Sequence, residues 1–503
     1  MSFKKNIIAN YVSQIYVSAI GILILPLYIK YMGAEAYGLI GFFTMLQSWF
    51  TLLDLGLTPT IGRETARYYG GSTNALDYRK LLRALNVIFV SIAVVGGGLL
   101  FFSAGDITKY WLHINTLPLS EVVLSIKVIA VCVALRWLCG LYRGVITGAE
   151  KLIWLSSFNV VICTLRFIFV FFTMYIFGFT PVVFFLHQFT IAIIEFSGFF
   201  FISRHLIPGS KGLGKIGWSF RPVRSVLTFS LTIAFTSSIW VMITQTDKLV
   251  LSGILSLKEY GHFTLAVLVA SGIMIISGPI STALLPRFAR LHAEGSNDKL
   301  LALYNSTTQL VCVIASSTSV VLAFCSEPLL YIWTGDRGLA HDSAPILSAY
   351  AVGNGLLAVS AFPYYLQYAR GKLKYHFVGN LVMLFSLIPL IVFMAKNYGG
   401  VGAGYAWVFT NLLYLLVWVG FVHSKLEPGL HIKWFFNNIV RVYIPVIITG
   451  YVFNYLYNFQ FDRIKDLLMI VLLSSVSLGI AVLSSSEAMK ILRNKLTKNE
   501  KPN

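Results

Sequence analysis

Four of the basic side chains inside long apolar stretches of the chain are candidates for a function, because a charged group there needs a partner or water. They are Arg136, Arg166, Lys248 and Arg441. Lys248 either extends its ammonium towards the end of its stretch or offers a cation to an anionic substrate. The position of Arg136 is equally typical of a residue that lines a cavity and of one that anchors its helix at the membrane interface. The position of Arg441 is more typical of an interfacial anchor.

Three acidic side chains interrupt the same stretches, and they are Asp54, Asp247 and Glu195. Asp54 could bind a cation or a proton, or it could accept hydrogen bonds that stabilise its helix. Asp247 directly precedes Lys248, so on a helix the two side chains diverge by about 100° and are not expected to share a face. Arg166 and Glu195 flank a very short turn, and their spacing puts an ion pair within reach.

Polar side chains recur at steps of three and four residues in three of the apolar stretches. Such spacing places a set on one face of a helix, which then lines a cavity or packs against another helix. For the stripe that contains Asp54 we favour a cavity, and for the other Ser and Thr residues we favour helix packing. The three sets are Asn10, Ser13, Gln14 and Ser18; Thr44, Gln47, Thr51, Asp54 and Thr58; and Ser225, Thr228, Thr232 and Thr236 with Gln245 further along.

The composition identifies the kind of element that carries these residues. Of the 503 residues, 57% are apolar and 12% are charged, whereas a soluble domain carries about 25% charged residues. A membrane-spanning helix needs about 20 mostly apolar residues. These numbers exclude a soluble enzyme, a disordered protein and a disulfide scaffold, and they predict an all-α polytopic membrane protein with fourteen transmembrane helices. The expected spans are residues 7–31, 37–59, 82–104, 119–142, 152–177, 180–203, 224–253, 260–284, 302–325, 343–369, 375–396, 401–424, 435–457 and 464–486.

The distribution of Lys and Arg gives these spans a direction. If the N-terminus is cytoplasmic, most of the 39 Lys and Arg residues fall in cytoplasmic loops, as the positive-inside rule requires. Both termini are therefore expected in the cytoplasm. The net charge of +19 then reflects topology and attraction to anionic membrane lipids, and no nucleic-acid partner is expected.

A weak internal repeat divides the spans into two halves. Residues 36–38 match 259–261, and residues 66–67 match 289–290, at similar places relative to the spans. A parallel repeat is a known transporter architecture, with the substrate site between the halves. The predicted divisions are an N-lobe at 1–206 with spans 1–6, a cytoplasmic linker at 207–223, a C-lobe at 224–425 with spans 7–12, spans 13 and 14 at 426–486, and a basic cytoplasmic tail at 487–503.

Motifs for catalysis or nucleotide binding are incomplete. Residues 209–215 match the first seven positions of a P-loop, but Ile216 stands where Ser or Thr must bind Mg²⁺. No two His have the spacing of metal ligands on one helix, and no close carboxylate pair indicates catalysis. We therefore expect no enzyme activity, no metal site and no cofactor beyond a proton or sodium ion that transport could require.

Four parts of the chain carry a resemblance to a known family, and they are residues 6–11, 25–38 and 54–59, and 245–253 followed by 259–261. Together they resemble the Wzx-type polysaccharide repeat-unit (O-antigen) flippases. They belong to the multidrug/oligosaccharidyl-lipid/polysaccharide exporter superfamily, with the MATE drug antiporters and the lipid II flippase. The resemblance implies a V-shaped cleft between two six-helix lobes, lined by helices 1, 2, 7 and 8, in the bacterial inner membrane. It also implies transport of an undecaprenyl-pyrophosphate-linked oligosaccharide from the inner to the outer leaflet.

The same resemblance implies roles for the residues singled out above. Lysine or arginine in the cleft would bind the pyrophosphate, and polar side chains would hold sugar hydroxyls. The substrate-binding candidates are Lys248, Arg136, Arg166, Gln14, Asn10 and Gln47. The ion-coupling candidates are Asp54, Asp247 and Glu195.

The expected mechanism is alternating access by rocking of the two lobes, which a proton or sodium gradient could drive. The expected partners are the lipid-linked oligosaccharide, anionic membrane lipids, a polysaccharide polymerase and a chain-length regulator, with the chain itself a monomer. Asn10 and Gln14 stand in span 1, where the lipid II flippase has an Arg, and this difference argues against a peptidoglycan precursor. The main alternative is a drug or organic-cation antiporter of the MATE type, for which twelve spans would suffice.

Overall fold

The computed structural model describes residues 3–209 and 219–499, and α-helices make up nearly all of them. No β-strand occurs among these residues, in which an isolated bridge joins His113 to Ser256. The apolar runs form helices because a helix satisfies its own backbone hydrogen bonds, as an apolar environment requires. The helices are α1 (Phe3–Leu23), α2 (Leu25–Met32), α3 (Ala34–Phe50), α4 (Leu57–Tyr69), α5 (Ala75–Phe102), α6 (Ala104–Asp106), α7 (Leu119–Gly148), α8 (Leu152–Phe167), α9 (Phe169–Phe177), α10 (Pro181–Leu206), α11 (Arg221–Ser252), α12 (Leu257–Ala293), α13 (Asn297–Phe324), α14 (Ser326–Thr334), α15 (Arg337–Ser360), α16 (Phe362–Ala369), α17 (Lys374–Leu413), α18 (Val419–Leu426), α19 (Leu430–Trp434), α20 (Arg441–Leu456), α21 (Arg463–Ser484) and α22 (Ser486–Asn499).

Within residues 3–209 and 219–499, eleven helical segments are long and apolar enough to span a membrane. One of them, Lys374–Leu426, contains both the eleventh and the twelfth predicted spans, which meet at Gly399 with φ 57° and ψ −140°. Helices α11 and α12 occupy the positions of the seventh and eighth predicted spans and are not among the eleven. The predicted all-α polytopic membrane fold is confirmed, and the count of fourteen spans stays a prediction.

The second predicted span, residues 37–59, is not one continuous helix. After α3 ends, a 3-10 turn follows at Thr51–Asp54, and Leu55 and Gly56 then adopt left-handed backbone with φ of 47° and 69°. Thr58 belongs to α4, which begins after this break. The predicted polar stripe is therefore wrong in its continuity, because Thr44 lies on α3, Thr51 and Asp54 lie in the 3-10 turn, and Thr58 lies on α4.

Close packing against a neighbouring helix explains why the break contains glycine. A Cβ at Gly56 would lie 2.3 Å from the Ser230 carbonyl oxygen of α11. Left-handed backbone and this close approach both favour a residue without a side chain. The position of α4 relative to α11 is further fixed by the hydroxyls of Thr60 and Ser230, which lie 2.6 Å apart.

The chain forms two compact units, Met1–Gly261 and His262–Asn503. In the first unit, α7 packs against α4, α5 and α10, while α11 packs against α3, α4 and α5. A Cβ at Gly148 in α7 would lie 2.1 Å from the Gly62 carbonyl oxygen of α4, so these two helices approach each other closely. The lobe boundaries expected from the sequence repeat stay a prediction.

In the second unit, α13 packs against α15, α20 and α21. The polar side chain of Gln309 in α13 fixes the last two helices to this core. Its Oε1 atom accepts hydrogen bonds from the Ser485 hydroxyl at 3.0 Å and from the Glu487 backbone N–H at 3.1 Å. The largest fully buried side chains of this unit include Phe288, Tyr304, Phe362 and Trp434.

Candidate functional site

Two predicted site residues form an ion pair inside the first unit. Arg166, near the end of α8, donates from Nη2 to the Glu195 Oε2 atom of α10 at 2.5 Å. The side chains of Arg166 and Glu195 are 20% and 9% exposed. Helix α9 continues α8 and ends at a short turn around Gly178, and this turn sets the register that brings the two side chains together. The ion pair expected from the sequence is present.

A second guanidinium approaches the same carboxylate. Arg136 of α7 has its Nε atom 4.0 Å from Glu195 Oε2, and its side chain is 11% exposed. Its Nη2 donates to Gln188 Oε1 at 2.8 Å, and Gln188 Nε2 donates to the Arg166 backbone carbonyl at 3.0 Å. The guanidinium carbon lies 4.8 Å from the centroid of the Phe43 ring, within cation–π distance. We call Arg136, Arg166, Gln188 and Glu195 the arginine cluster.

The arginine cluster contains two guanidinium groups and one carboxylate, so one positive charge has no counter-charge within it. The Nε atoms of Arg136 and Arg166 are buried and have no hydrogen-bond partner among the described residues. A buried donor without an acceptor costs about 1–3 kcal/mol. An anion that reaches the cluster would satisfy these donors and offset the charge, so the arrangement suits a phosphate or a carboxylate.

Asp247 and Lys248 are closer together than their spacing suggests. Lys248 Nζ lies 3.5 Å from Asp247 Oδ1 and donates to the Thr244 carbonyl at 2.8 Å. The expectation that the two side chains do not share a face is therefore wrong, because the long lysine side chain bends back over the preceding helical turn. Among the described residues, no contact joins Lys248 to the arginine cluster.

Asp54 caps the helix that follows it. Its Oδ1 atom accepts hydrogen bonds from the Thr58 hydroxyl at 2.6 Å and from the Thr58 backbone N–H at 3.1 Å. A carboxylate at this end of a helix satisfies a free N–H and interacts favourably with the helix dipole. The geometry supports the hydrogen-bonding role that the sequence left open, and the ion-coupling role of Asp54 stays a prediction.

The uncharged candidates lie on α1 and α3. Gln14 Nε2 donates to Asn10 Oδ1 at 3.3 Å, and both side chains are exposed. Gln47 Nε2 is buried and has no hydrogen-bond partner among the described residues. Thr44 and Thr51, on the same stripe, are exposed and donate to backbone carbonyls of their own helical turns. The cavity expected along this stripe stays a prediction.

Several predicted features lie outside the described residues. Positions 210–218 hold most of the P-loop-like segment and about half of the linker at 207–223, and positions 500–503 end the basic tail. In the polar stripe of the seventh predicted span, the side chains that are not described are those of Ser225, Thr228, Thr232 and Thr236.

Arg441, predicted as an interfacial anchor, lies within the described residues. It is the first residue of α20, and its side chain is exposed.

Gln188 and Phe43 complete the surroundings of Arg136 and were not predicted from the sequence. Gln188 precedes Glu195 by seven residues, about two helical turns, which places both on one face of α10. This spacing could have identified Gln188. Phe43 is one of 38 phenylalanines in the chain, and no feature of the sequence distinguishes it from the others.

Comparison with known proteins gives consistent results. The sequence pattern of the family described as "Polysaccharide biosynthesis protein" matches residues 3–292. A Shigella flexneri protein named "Putative O-antigen transporter" is 22% identical over 425 residues, which cover 83% of this chain and 98% of that protein.

Two solved structures of transport proteins share the fold. The lipid II flippase MurJ in an inward closed conformation superposes with a TM-score of 0.71 at 14% identity, over 94% of this chain and 98% of that one. A multidrug resistance MATE family transporter of the MOP superfamily, in an inward-facing conformation, gives a TM-score of 0.67 at 14% identity, over 82% and 94%. These similar proteins are transporters and not catalytic enzymes, in agreement with the prediction that this chain is not an enzyme.

Proposed function

Because this chain belongs to the polysaccharide biosynthesis protein family, we propose that it moves a lipid-linked oligosaccharide of the O-antigen or capsule repeat-unit class across the bacterial inner membrane. The carrier would be undecaprenyl pyrophosphate, and the direction would be from the inner to the outer leaflet. The name of the Shigella flexneri relative supports the oligosaccharide class. Alternating access is the proposed mechanism.

The arginine cluster is the observation that carries the proposal. A pyrophosphate must lose much of its hydration to pass through an apolar region, and nearby cations offset that loss. The cluster lies on three helices that are long and apolar enough to span a membrane. It also has an excess of positive charge and two buried N–H groups that lack acceptors among the described residues. These properties suit a lipid-linked anion better than an organic cation.

The position of Glu195 suggests how substrate and ion movement could be linked. Its carboxylate binds the Arg166 guanidinium at 2.5 Å. A pyrophosphate would compete for the same guanidinium, because one planar group cannot pair fully with both anions. A displaced Glu195 carboxylate would be free to bind a proton or a sodium ion, which makes Glu195 a proposed ion-coupling residue. Asp54 and Asp247 remain the other proposed ion-coupling residues, and Lys248, Asn10, Gln14 and Gln47 remain proposed substrate contacts.

The proposed orientation places both termini in the cytoplasm, because most Lys and Arg residues then face the anionic inner leaflet. Contacts between these basic loops and anionic lipids are part of the proposal. Association with a polysaccharide polymerase and a chain-length regulator, and a monomeric state of the chain itself, are likewise proposed.

Deletion of the gene in its host tests the proposed function. We expect lipid-linked oligosaccharide to accumulate on the cytoplasmic leaflet and surface polysaccharide to be lost, and the wild-type gene to restore both. Efflux of cationic dyes, measured in the same strains, is expected to stay unchanged. Normal surface polysaccharide together with lost dye efflux would instead support a MATE-type antiporter and would overturn the flippase assignment.

A further inference from the structure

A groove between α5 and α7 lies outside the arginine cluster and outside the roles assigned above. Its volume is about 310 Å³, and all the residues that line it are apolar. Pockets of this volume are large enough to hold part of a small organic ligand. Its walls include Ala93, Val94, Gly97 and Gly98 of α5 and Val131 and Ala134 of α7.

Two adjacent glycines create this groove. A Cβ at Gly97 would lie 2.9 Å from the Ala134 Cβ atom, so α5 and α7 are in close contact at this point. At Gly98, the next residue, no atom outside the adjoining turns of α5 lies within 4 Å of the position that a Cβ would occupy. The groove therefore has a close helix contact on one side, at Gly97, and open space on the other, at Gly98.

The groove opens on the outside of the first unit. Val94 is 67% exposed and Phe102, at its end, is 85% exposed. Exposed apolar side chains on a spanning helix face hydrocarbon, because no water is present there to favour polar groups. The groove is therefore open to the chains of surrounding lipids.

A lysine ammonium stands at one end of the groove. Lys127 of α7 has its Nζ atom 5.4 Å from the centroid of the Phe101 ring, and Phe101 lines the groove one residue before α5 ends. Among the described residues, no carboxylate lies within ion-pair distance of this ammonium. From Phe101 back to Ala93, the apolar lining follows α5 for about 12 Å. The site thus combines a cation at one end with an apolar track behind it.

We propose that this groove binds an anionic glycerophospholipid of the surrounding bilayer. One acyl chain lies along α5 between Ala93 and Phe101, and the lipid phosphate pairs with the Lys127 ammonium. A helix from a second copy could also pack on small residues, but it would leave Lys127 against an apolar surface. Charge complementarity therefore favours the lipid as the occupant.

Photocrosslinking of the full-length protein in lipid nanodiscs tests this site. The probe is phosphatidylglycerol with a diazirine on one acyl chain, and labelled peptides are mapped by mass spectrometry. We expect labelling within residues 93–102 and 127–134, and about fivefold less of it in Lys127→Gln, the effect of one basic residue on binding to an anionic lipid. Lys127→Arg keeps the charge and should keep the labelling. Gly98→Phe fills the groove and should reduce labelling in the same way.

Matched controls separate the groove from general effects on the membrane surface. Lys109→Gln removes another lysine that lies over an aromatic ring, Tyr110, at 5.1 Å. Gly479→Phe adds the same bulk at a glycine of α21 that also has open space around it. Neither variant should change labelling of the groove, and size-exclusion chromatography should show all variants folded.

Three results would overturn the proposal. The first is equal labelling by a phosphatidylcholine probe with the same diazirine chain. The second is a crosslink from the groove to a second copy of the chain, which would make it a protein interface. The third is labelling by a polyprenyl-phosphate probe but not by phosphatidylglycerol, which would assign the groove to the transported substrate.

Discussion

The Arg166 guanidinium of α8 donates to the Glu195 carboxylate of α10 at 2.5 Å. Arg136 approaches the same carboxylate oxygen at 4.0 Å from a third helix. One carboxylate therefore serves two guanidinium groups, and the arginine cluster keeps a positive charge that an anionic substrate can use.

Removal of the carboxylate should destabilise the first unit. In Glu195→Gln, Arg136 and Arg166 lose their counter-charge, and breaking a buried ion pair in this way costs about 3–5 kcal/mol. We expect a lower Tm for the protein in detergent. The exposed pair of Arg290 and Glu294 is the control, and Glu294→Gln should leave the Tm unchanged. An unchanged Tm in Glu195→Gln would contradict a stabilising role for the ion pair.

For transport, the excess positive charge of the arginine cluster should be more important than the hydrogen bond from Arg136 to Gln188. Gln188→Glu keeps an acceptor for Arg136, loses the donor to the Arg166 carbonyl, and brings the formal charge of the arginine cluster to zero. We expect transport of the lipid-linked oligosaccharide to fall by about tenfold or more, because a charge-assisted contact contributes about 1.5–3 kcal/mol.

A buried glutamine of the second unit provides the control for this variant. Gln367 accepts a hydrogen bond from the His376 backbone N–H at 2.6 Å. Gln367→Glu adds the same negative charge as Gln188→Glu, at a position that is distant in sequence from the arginine cluster. Transport per folded molecule should stay close to wild type in this control. Full transport in Gln188→Glu would argue against substrate binding by the excess charge.

Asp54→Asn separates helix capping from ion binding. Asparagine caps a helix about as well as aspartate, so protein level and Tm should hold. We expect complementation to be lost, since an amide cannot exchange a proton or bind sodium as a carboxylate does. Asp54→Ala should also lose about 1 kcal/mol of stability, because α4 then has no side-chain cap. Full complementation by Asp54→Asn would leave Asp54 with the capping role alone.

The sequence predicts the helical class and the Arg166–Glu195 pair for clear physical reasons. Apolar length determines that a segment must be a helix in a membrane, and the short turn near Gly178 fixes the register of the helices on either side. The break within the second predicted span was not predicted, although the sequence contains residues that favour it. Gly56 and Pro59 are the residues that commonly interrupt or begin helices.

Other parts of the site depend on side-chain conformation and on packing between distant segments. The separation expected for Asp247 and Lys248 treats each side chain as a fixed direction, whereas the Lys248 ammonium bends back to the Thr244 carbonyl. The approach of Arg136 to Glu195 depends on how α7 and α10 pack, and periodicity within either helix cannot give that contact. The contact between Phe43 and Arg136 likewise depends on how α3 and α7 pack, which the sequence of either helix alone cannot give.

The most direct test of the central claim is the rate at which the purified protein moves undecaprenyl-pyrophosphate-linked oligosaccharide across proteoliposome membranes. Wild type and Arg136→Lys should both transport, with Arg136→Lys slower because an ammonium makes fewer directed hydrogen bonds. Arg136→Gln should be about tenfold slower or worse. A rate in Arg136→Gln equal to that of wild type, in protein with an unchanged Tm, would contradict pyrophosphate binding by the arginine cluster.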